Sequence, residues 1–473
     1  MTQIVWNQQT RYRPYIQWSS NYLRTIQQKV EQSIWRTNTH IQPVTGLLND
    51  PCAFNFFNGQ WHLFYQSFPF GPVHGLKSWY HLVSTDLLHW QPSEQQLLPD
   101  GPFDHQGVYT GSGYVADNHL QLLYTGNVRD SDWNRHSYQM HAQMDRNGVI
   151  TKSSQPIIAT PPSGYTAEFR DPFAFSNNNE RYCLIGGQTT TGHGAILLYH
   201  QEPNKEWKFL GPLAIPTTMT GYMVECPNID WVDNHVVLTF CPQGLDHKTL
   251  SYTNRYPNVA MIADDFDPST RQFSGEMHLQ LVDYGCDFYA SRTTVAPDGR
   301  HLLIGWMGMP ESEYPSDRDQ WANCLSYPRE LHVKNGKLQL APLSELEQLR
   351  EDEIVPDATT FNFSATAEFE FNTTSQTEFS VYAKGLESLK LSVTGQKLSI
   401  ISAHATRHVQ LPNNTNHIVR LFIDGSAYEC YVDDGEVCLT GRFFPQSAPD
   451  SAIIKENGTD TSCHGWRLER SNH

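Results

Sequence analysis

Several signatures are missing from this chain, and each absence closes off a class of protein. The nine cysteines are odd in number and form no C-x-x-C pair, so neither a disulfide framework nor a structural metal site is expected. Free thiols in a reducing compartment fit better. No apolar run reaches the roughly 18 residues of a membrane helix, and Met1 to Gln17 lack the basic start and apolar core of a secretory leader. A cytoplasmic location without membrane contact is the expectation. An excess of positive charge is missing too: 33 Lys and Arg stand against 50 Asp and Glu, a net charge of -17, which argues against nucleic acid as a partner. Helical periodicity is scarce. It shows in Asn21 to Trp35, where Leu23, Ile26, Val30 and Ile34 recur at helical spacing behind Ser19 and Ser20. That pattern predicts one serine-capped amphipathic helix packed on the body of the protein.

What the chain has is β-structure. From about residue 39 to 340, short runs of β-formers are broken by Gly, Asn and Asp, with no long helix between them. Five such strands place Leu63, Leu122, Leu184, Leu238 and Leu303 in one column, 54 to 65 residues apart. A period near 60 residues that holds several short strands marks a propeller blade. Thirteen positions before each leucine stand Asp50, Tyr109, Asp171, Glu225 and Ala290. Equivalent positions of innermost strands face one another across a propeller axis, so Asp50, Asp171 and Glu225 are expected to converge in one funnel.

Three carboxylates in one pocket repel, and such a cluster persists where something uses it. Calcium would call for D-x-D spacing on one loop with amide and carbonyl ligands. These separated positions do not supply that, so no metal and no cofactor is expected. Acid/base work on a glycosidic bond fits, because it pairs a carboxylate that stays ionised with one kept protonated. Arg170 beside Asp171 would favour the ionised form there, while Val224, Cys226 and Pro227 give Glu225 a drier setting that makes it the acid.

Asn49, Asp50 and Pro51, Phe64 to Gln66, Phe169 to Pro172, Glu225 to Pro227 and Asp287 to Ala290 together carry a family resemblance. The chain after residue 36 resembles the fructan-cleaving glycoside hydrolases that include invertases, levanases and sucrose-6-phosphate hydrolases. The resemblance implies a five-bladed β-propeller followed by a C-terminal β-sandwich. The expected division is a helical extension (1–36), the propeller (37–341), a linker (342–354) and the sandwich (355–473). It also implies that Asp50 is the nucleophile of a covalent fructosyl-enzyme, Glu225 the acid/base, and Asp171 the residue that holds fructose hydroxyls, with retention of configuration. Sugar contacts are expected from Asn49, Gln66, Trp79, Asp104, Ser112, Arg170, Tyr289 and Trp306.

The run Phe68 to Lys77 resembles bacterial enzymes that act on sucrose 6-phosphate. A phosphate would need cationic or amide donors, and His74, Lys77, Arg129, Arg135 and Arg318 are the candidates. Sucrose and short fructo-oligosaccharides such as kestose are the alternative substrates, and fructosyl transfer is the alternative reaction. The rival from another class is a sugar-binding propeller without catalysis. A monomer or homodimer is expected. One departure stands out: the family usually continues its first motif with Asn and Gly, where this chain has Cys52 and Ala53. Ala53 takes positive φ less easily than glycine, so the backbone there should be ordinary or strained. A free Cys52 beside the site should make activity sensitive to thiol reagents. Beyond the linker, alternation around Asp424-Gly425 and Asp434-Gly435 predicts hairpins of a half-buried sheet without a catalytic cluster.

Overall fold

A computed structural model of the protein describes residues 4–373, 376–414, 416–456 and 462–471. The N-terminal helix runs Ser20–Glu31, and the Ser19 hydroxyl caps it by accepting from the Tyr22 amide at 3.2 Å. It buries Ile26 and Val30. The helix stops short of the expected Trp35, so Ile34 lies beyond it and is exposed. Before it, the chain makes two short turns, Gln8–Arg11 and Tyr15–Gln17. This arm is fastened by aromatics: Trp18 stacks on Phe70 with ring centroids 4.7 Å apart, within a cluster that includes Phe68 and Leu76.

Five antiparallel sheets follow, the blades of the propeller. Their innermost strands are Gly46–Phe57, Val108–Ala116, Tyr165–Asn177, Met223–Val232 and Tyr289–Val295. The ring closes where Trp321–Ala322 pairs in parallel with the start of the first innermost strand. The five column leucines sit on the second strand of each blade, opposite Phe54, Gly113, Phe173, Ile229 and Thr293, and all five are buried.

In every innermost strand the register breaks just before that pairing. The breaks fall between Leu48 and Pro51, Tyr109 and Gly111, Arg170 and Phe173, Glu225 and Asn228, and Tyr289 and Arg292. A bulge bends its strand and re-aims side chains that would otherwise alternate in and out. Asp50, Asp171 and Ala290 lie inside these breaks, and Tyr109 and Glu225 lie at their edge. Asp171 (φ 65°), Cys226 (φ 49°) and Ala290 (φ 49°) adopt left-handed backbone, which non-glycine residues hold only where the surroundings enforce it.

The C-terminal domain is a sandwich of two six-stranded antiparallel sheets. A 3-10 turn, Ser344–Leu349, leads into it, and the strand Arg350–Glu353 already pairs with Cys463–Leu468. The hairpins at Asp424 and Asp434 turn through Gly425 and Gly435, both at positive φ. Gly435 abuts the propeller so closely that a Cβ there would lie 1.8 Å from the Leu340 carbonyl oxygen.

A fully buried ionic network holds the two domains together. Arg329 of the fifth blade reaches Asp283 at 2.8 Å and Glu429 of the sandwich at 2.6 Å. His40, at the entrance to the propeller, lies between Asp424 (2.8 Å) and Glu429 (3.0 Å). Burial alone would lower the His40 pKa, but the two carboxylates outweigh it and raise it to about 9. Removing one partner of such a network strands the others in a dry interior. Glu429→Gln should therefore cost on the order of 3–5 kcal/mol, read as a lower midpoint of chemical denaturation with the cavity chemistry untouched in the fraction that stays folded.

Candidate active site

Asn49, Asp50, Gln66, His74, Lys77, Arg135, Arg170, Asp171, Glu225, Tyr289 and Trp306 line one cavity of about 200 Å³ at the propeller axis. Asp50 is held from three sides. Asn49 Nδ2 donates to its Oδ1 at 2.9 Å, Gln66 Nε2 donates to its Oδ2 at 3.1 Å, and the Thr110 hydroxyl donates to the same Oδ2. These donors favour the carboxylate, but burial outweighs them and raises the Asp50 pKa. The orientation of Asn49 is itself fixed, because Lys77 Nζ donates to its Oδ1 and so leaves the amide N–H groups for Asp50. Lys77 is 3% exposed, and burial lowers its pKa to about 7.

Glu225 stands on the fourth blade, among polar groups. Arg170 Nε and Nη2 donate to its Oε1 at 3.1 and 2.9 Å, while Gln243 Nε2 (2.8 Å) and Tyr289 OH (2.9 Å) donate to its Oε2. Two expectations are corrected here. The dry setting expected for Glu225 is absent, because these donors surround its carboxylate while Val224 packs away in an apolar cluster. Arg170 is spent on Glu225 and on Glu168, and it does not hold Asp171 ionised. Asp171 is 3% exposed. Burial raises its pKa to about 7, with Arg170 opposing and Glu225 and Asp50 adding to the rise. Its Oδ2 accepts from the Cys226 amide at 3.0 Å.

Three expected sugar contacts lie elsewhere. Trp79 is 0% exposed, and its indole N–H donates to the Tyr109 carbonyl at 3.0 Å. Ser112 accepts from the Ala174 amide at 3.0 Å and so ties the second blade to the third. Asp104 is buried against Tyr124 (2.8 Å) and Lys152 (2.7 Å). In each case an apolar or inter-blade position claims the side chain. Arg318 lies outside this cavity as well. It faces a groove of about 1130 Å³ between the arm and residues 311–320, with its guanidinium 4.3 Å over Trp35. Trp306, in contrast, lines the cavity, and its buried indole N–H has no hydrogen-bond partner among the described residues.

Sequence reasoning missed Thr110, Glu168, Gln243 and Tyr12. Thr110 was within reach, since it follows the in-phase Tyr109 and carries a hydroxyl, and Glu168 was too, two residues before Arg170 on the same innermost strand; Gln243 comes from a second strand and Tyr12 from the arm. Nor did sequence foresee a metal-type grouping away from the funnel. Cys286, Asp287 and His404 offer ligand atoms within 4.8 Å of one another at the seam with the sandwich. There the Asp287 oxygens already accept from Tyr314 OH (2.6 Å) and the Arg442 amide (2.9 Å).

A propeller whose bulges gather paired carboxylates, amides and aromatics in one small cavity defines a glycoside hydrolase. The comparisons say which kind. Residues 40–342 match the glycosyl hydrolases family 32 N-terminal domain and residues 330–467 match its C-terminal domain. The chain belongs to glycosyl hydrolase family 32. It is 42% identical to the sucrose-6-phosphate hydrolase of Pediococcus pentosaceus, covering 99% of this chain and 98% of that one. It is 40% identical to that of Lactococcus lactis subsp. lactis, over 93% and 95%. Among solved structures, the sucrose-6-phosphate hydrolase of Lactobacillus gasseri superposes with a TM-score of 0.94 at 35% identity, over 99% of this chain and all of that one.

Two outcomes follow. Cys52 is 0% exposed, burial raises its thiol pKa well above the ordinary value, and neither it nor Ala53 has positive φ. The expected thiol sensitivity is therefore overturned: alkylation of the native protein should leave activity intact, checked by assay after iodoacetamide treatment with mass-spectrometric mapping. Asp171 has a folded pKa near 7 against an ordinary 3.8. Its contribution to stability is full below the ordinary value and is lost as pH rises through 7. Asp171→Asn should raise the melting temperature at pH 8 by a few degrees and change it little at pH 4, while activity falls.

Proposed function

We propose that this enzyme hydrolyses the β-fructofuranosyl bond of sucrose 6-phosphate, and of sucrose, with retention of configuration, in the cytoplasm. Asp50 attacks the anomeric carbon of the fructosyl unit as the bond to the glucosyl oxygen breaks, and Glu225 gives that oxygen its proton. Glu225 then takes a proton from water, whose oxygen attacks the fructosyl carbon and frees Asp50. Asp171 binds fructose hydroxyls through whichever oxygen the Cys226 amide leaves free. The observation that carries the reading is the three-donor grip on Asp50, which fixes one carboxylate as an attacking group rather than a mobile base. The sucrose-6-phosphate hydrolases among its relatives support the substrate, and a mutant family 32 β-fructofuranosidase of Bombyx mori, 28% identical, was solved with sucrose. Nine free thiols suit the compartment.

The test is reducing-sugar release from sucrose 6-phosphate and sucrose. Glu225→Gln should lower kcat by about 10²–10⁴-fold, and Asp50→Ala by at least as much. Activity within tenfold of wild type in Asp50→Ala would sink the covalent route.

A further inference from the structure

Resting on that reading of the substrate, we propose that Arg129, Arg135 and the Tyr12 hydroxyl form the subsite for the 6-phosphate of the leaving glucosyl group. The phosphate carries between one and two negative charges near neutral pH, and the cavity floor is lined by Asp50, Asp171 and Glu225. It therefore has to sit at the mouth, beside cations that the carboxylates have not already consumed.

The other candidate cations are committed. Lys77 is buried and holds Asn49. His74 is exposed at the mouth, with Lys77 and Arg11 beside it, and these like charges disfavour its own. Arg318 lies over Trp35 in the other groove. Arg129 and Arg135 differ from these in three ways. They stand directly opposite each other in the hairpin formed by the second and third strands of the second blade, an arrangement of like charges that costs stability unless something sits between them. Both carry a buried Nε without a hydrogen-bond partner among the described residues. Arg135 is paired with Glu168 at 2.6 Å, but Glu168 also takes Arg170. Glu168 is thus shared between two guanidiniums, those of Arg135 and Arg170.

The hairpin loop is shaped for the purpose. Trp133, at its tip, has φ 66°, a conformation a bulky residue keeps only under constraint. Its carbonyl accepts from Arg129 Nη1 at 3.3 Å, and its ring meets Tyr12 edge-on with centroids 5.1 Å apart. Tyr12 arrives from the N-terminal arm, lines the cavity beside Arg135, and lies within electrostatic reach of both arginines. The arm is clamped there: the Arg11 carbonyl accepts from the Leu76 amide at 2.8 Å, and Arg11 Nη1 donates to the His74 carbonyl at 3.2 Å. A phosphate at this corner would receive the fork of one arginine, the free N–H groups of the other and the phenol.

The experiment compares kcat/KM for sucrose 6-phosphate and for sucrose in wild type, Arg129→Gln, Arg135→Gln and Tyr12→Phe, together with inhibition by glucose 6-phosphate and by glucose. The ratio of sucrose 6-phosphate to sucrose should fall tenfold or more in each arginine variant and severalfold in Tyr12→Phe. Inhibition by glucose 6-phosphate should weaken in parallel, and inhibition by glucose should not. Residual sucrose cleavage reports that each variant is folded; Arg129→Lys, which keeps the charge and loses the fork, serves if Arg129→Gln is not. A ratio that stays within twofold in both arginine variants overturns the subsite, as does a wild type that cleaves sucrose with no preference for the phosphate. A wild type that cleaves neither sugar defeats the hydrolase reading itself, a separate result.

Discussion

Arg170 is the cation on which the funnel is balanced. It is 11% exposed, donates through Nε and Nη2 to Glu225 on the neighbouring blade, and through Nη1 to Glu168 on its own. Burial works against its charge, but the two carboxylates outweigh that and hold it firmly protonated. In a regular strand Arg170 and Asp171 would point to opposite faces. The bulge between Arg170 and Phe173 lets both reach the funnel, so one blade supplies a cation for Glu225 and a carboxylate, Asp171, to the same cavity. Gly186 lies opposite Arg170 in register, and a Cβ there would come within 2.2 Å of the Val224 carbonyl oxygen. The blades approach closely enough for Arg170 to span the gap because that position has no side chain.

The closing strand of the propeller, Trp321–Ala322, is two residues long. So short a strand contributes little pairing of its own, and its support comes from beside it. The Trp321 ring is fully buried, with the Arg442 guanidinium of the sandwich 4.9 Å over it and that of Arg36 at 5.1 Å. With the network around Arg329, His40 and Glu429, these contacts let the sandwich brace the seam at which the first and last blades meet. None of the residues lining the cavity belongs to the sandwich. Its link to catalysis is mechanical: it fixes the ring whose diameter sets how far Asp50 stands from Glu225.

The sequence made the repeat legible because leucines on second strands are kept by the core, and the core repeats with the blade. Counting back from them reached the bulge in every blade without revealing that a bulge was there. Strand alternation assumes a regular pleat, and one inserted residue inverts which neighbours face inward. Arg170 was assigned to Asp171 because the two are adjacent in sequence, and no local pattern pointed it across the gap to Glu225; Thr110 was passed over for Ser112, two residues on, because an inserted residue changes which neighbours face inward. Trp79 and Asp104 were read as sugar contacts from motif position; the first is swallowed by the packing between blades and the second by the Tyr124 and Lys152 pair. Tyr12 was illegible for another reason. It lies outside the repeat, and no local pattern says where a segment between two short turns will dock.

The division between what repeats and what does not also divides the chemistry. The blades supply Asp50, Asp171 and Glu225 at one phase, and a change of phase would move all of them together. Other groups that line the cavity come from elements without that periodicity: Tyr12 from the arm, Arg135 from the strand after a hairpin loop, His74 and Lys77 from the segment linking two strands of the first blade. Loops and arms can change length and charge without disturbing a ring of sheets. A single propeller can thus keep its fructosyl chemistry constant while it alters which aglycone it admits. In this chain the arm is fixed by its docking through Trp18 on Phe70 and its clamp on His74 and Leu76, and those contacts are what bring Tyr12 to the cavity.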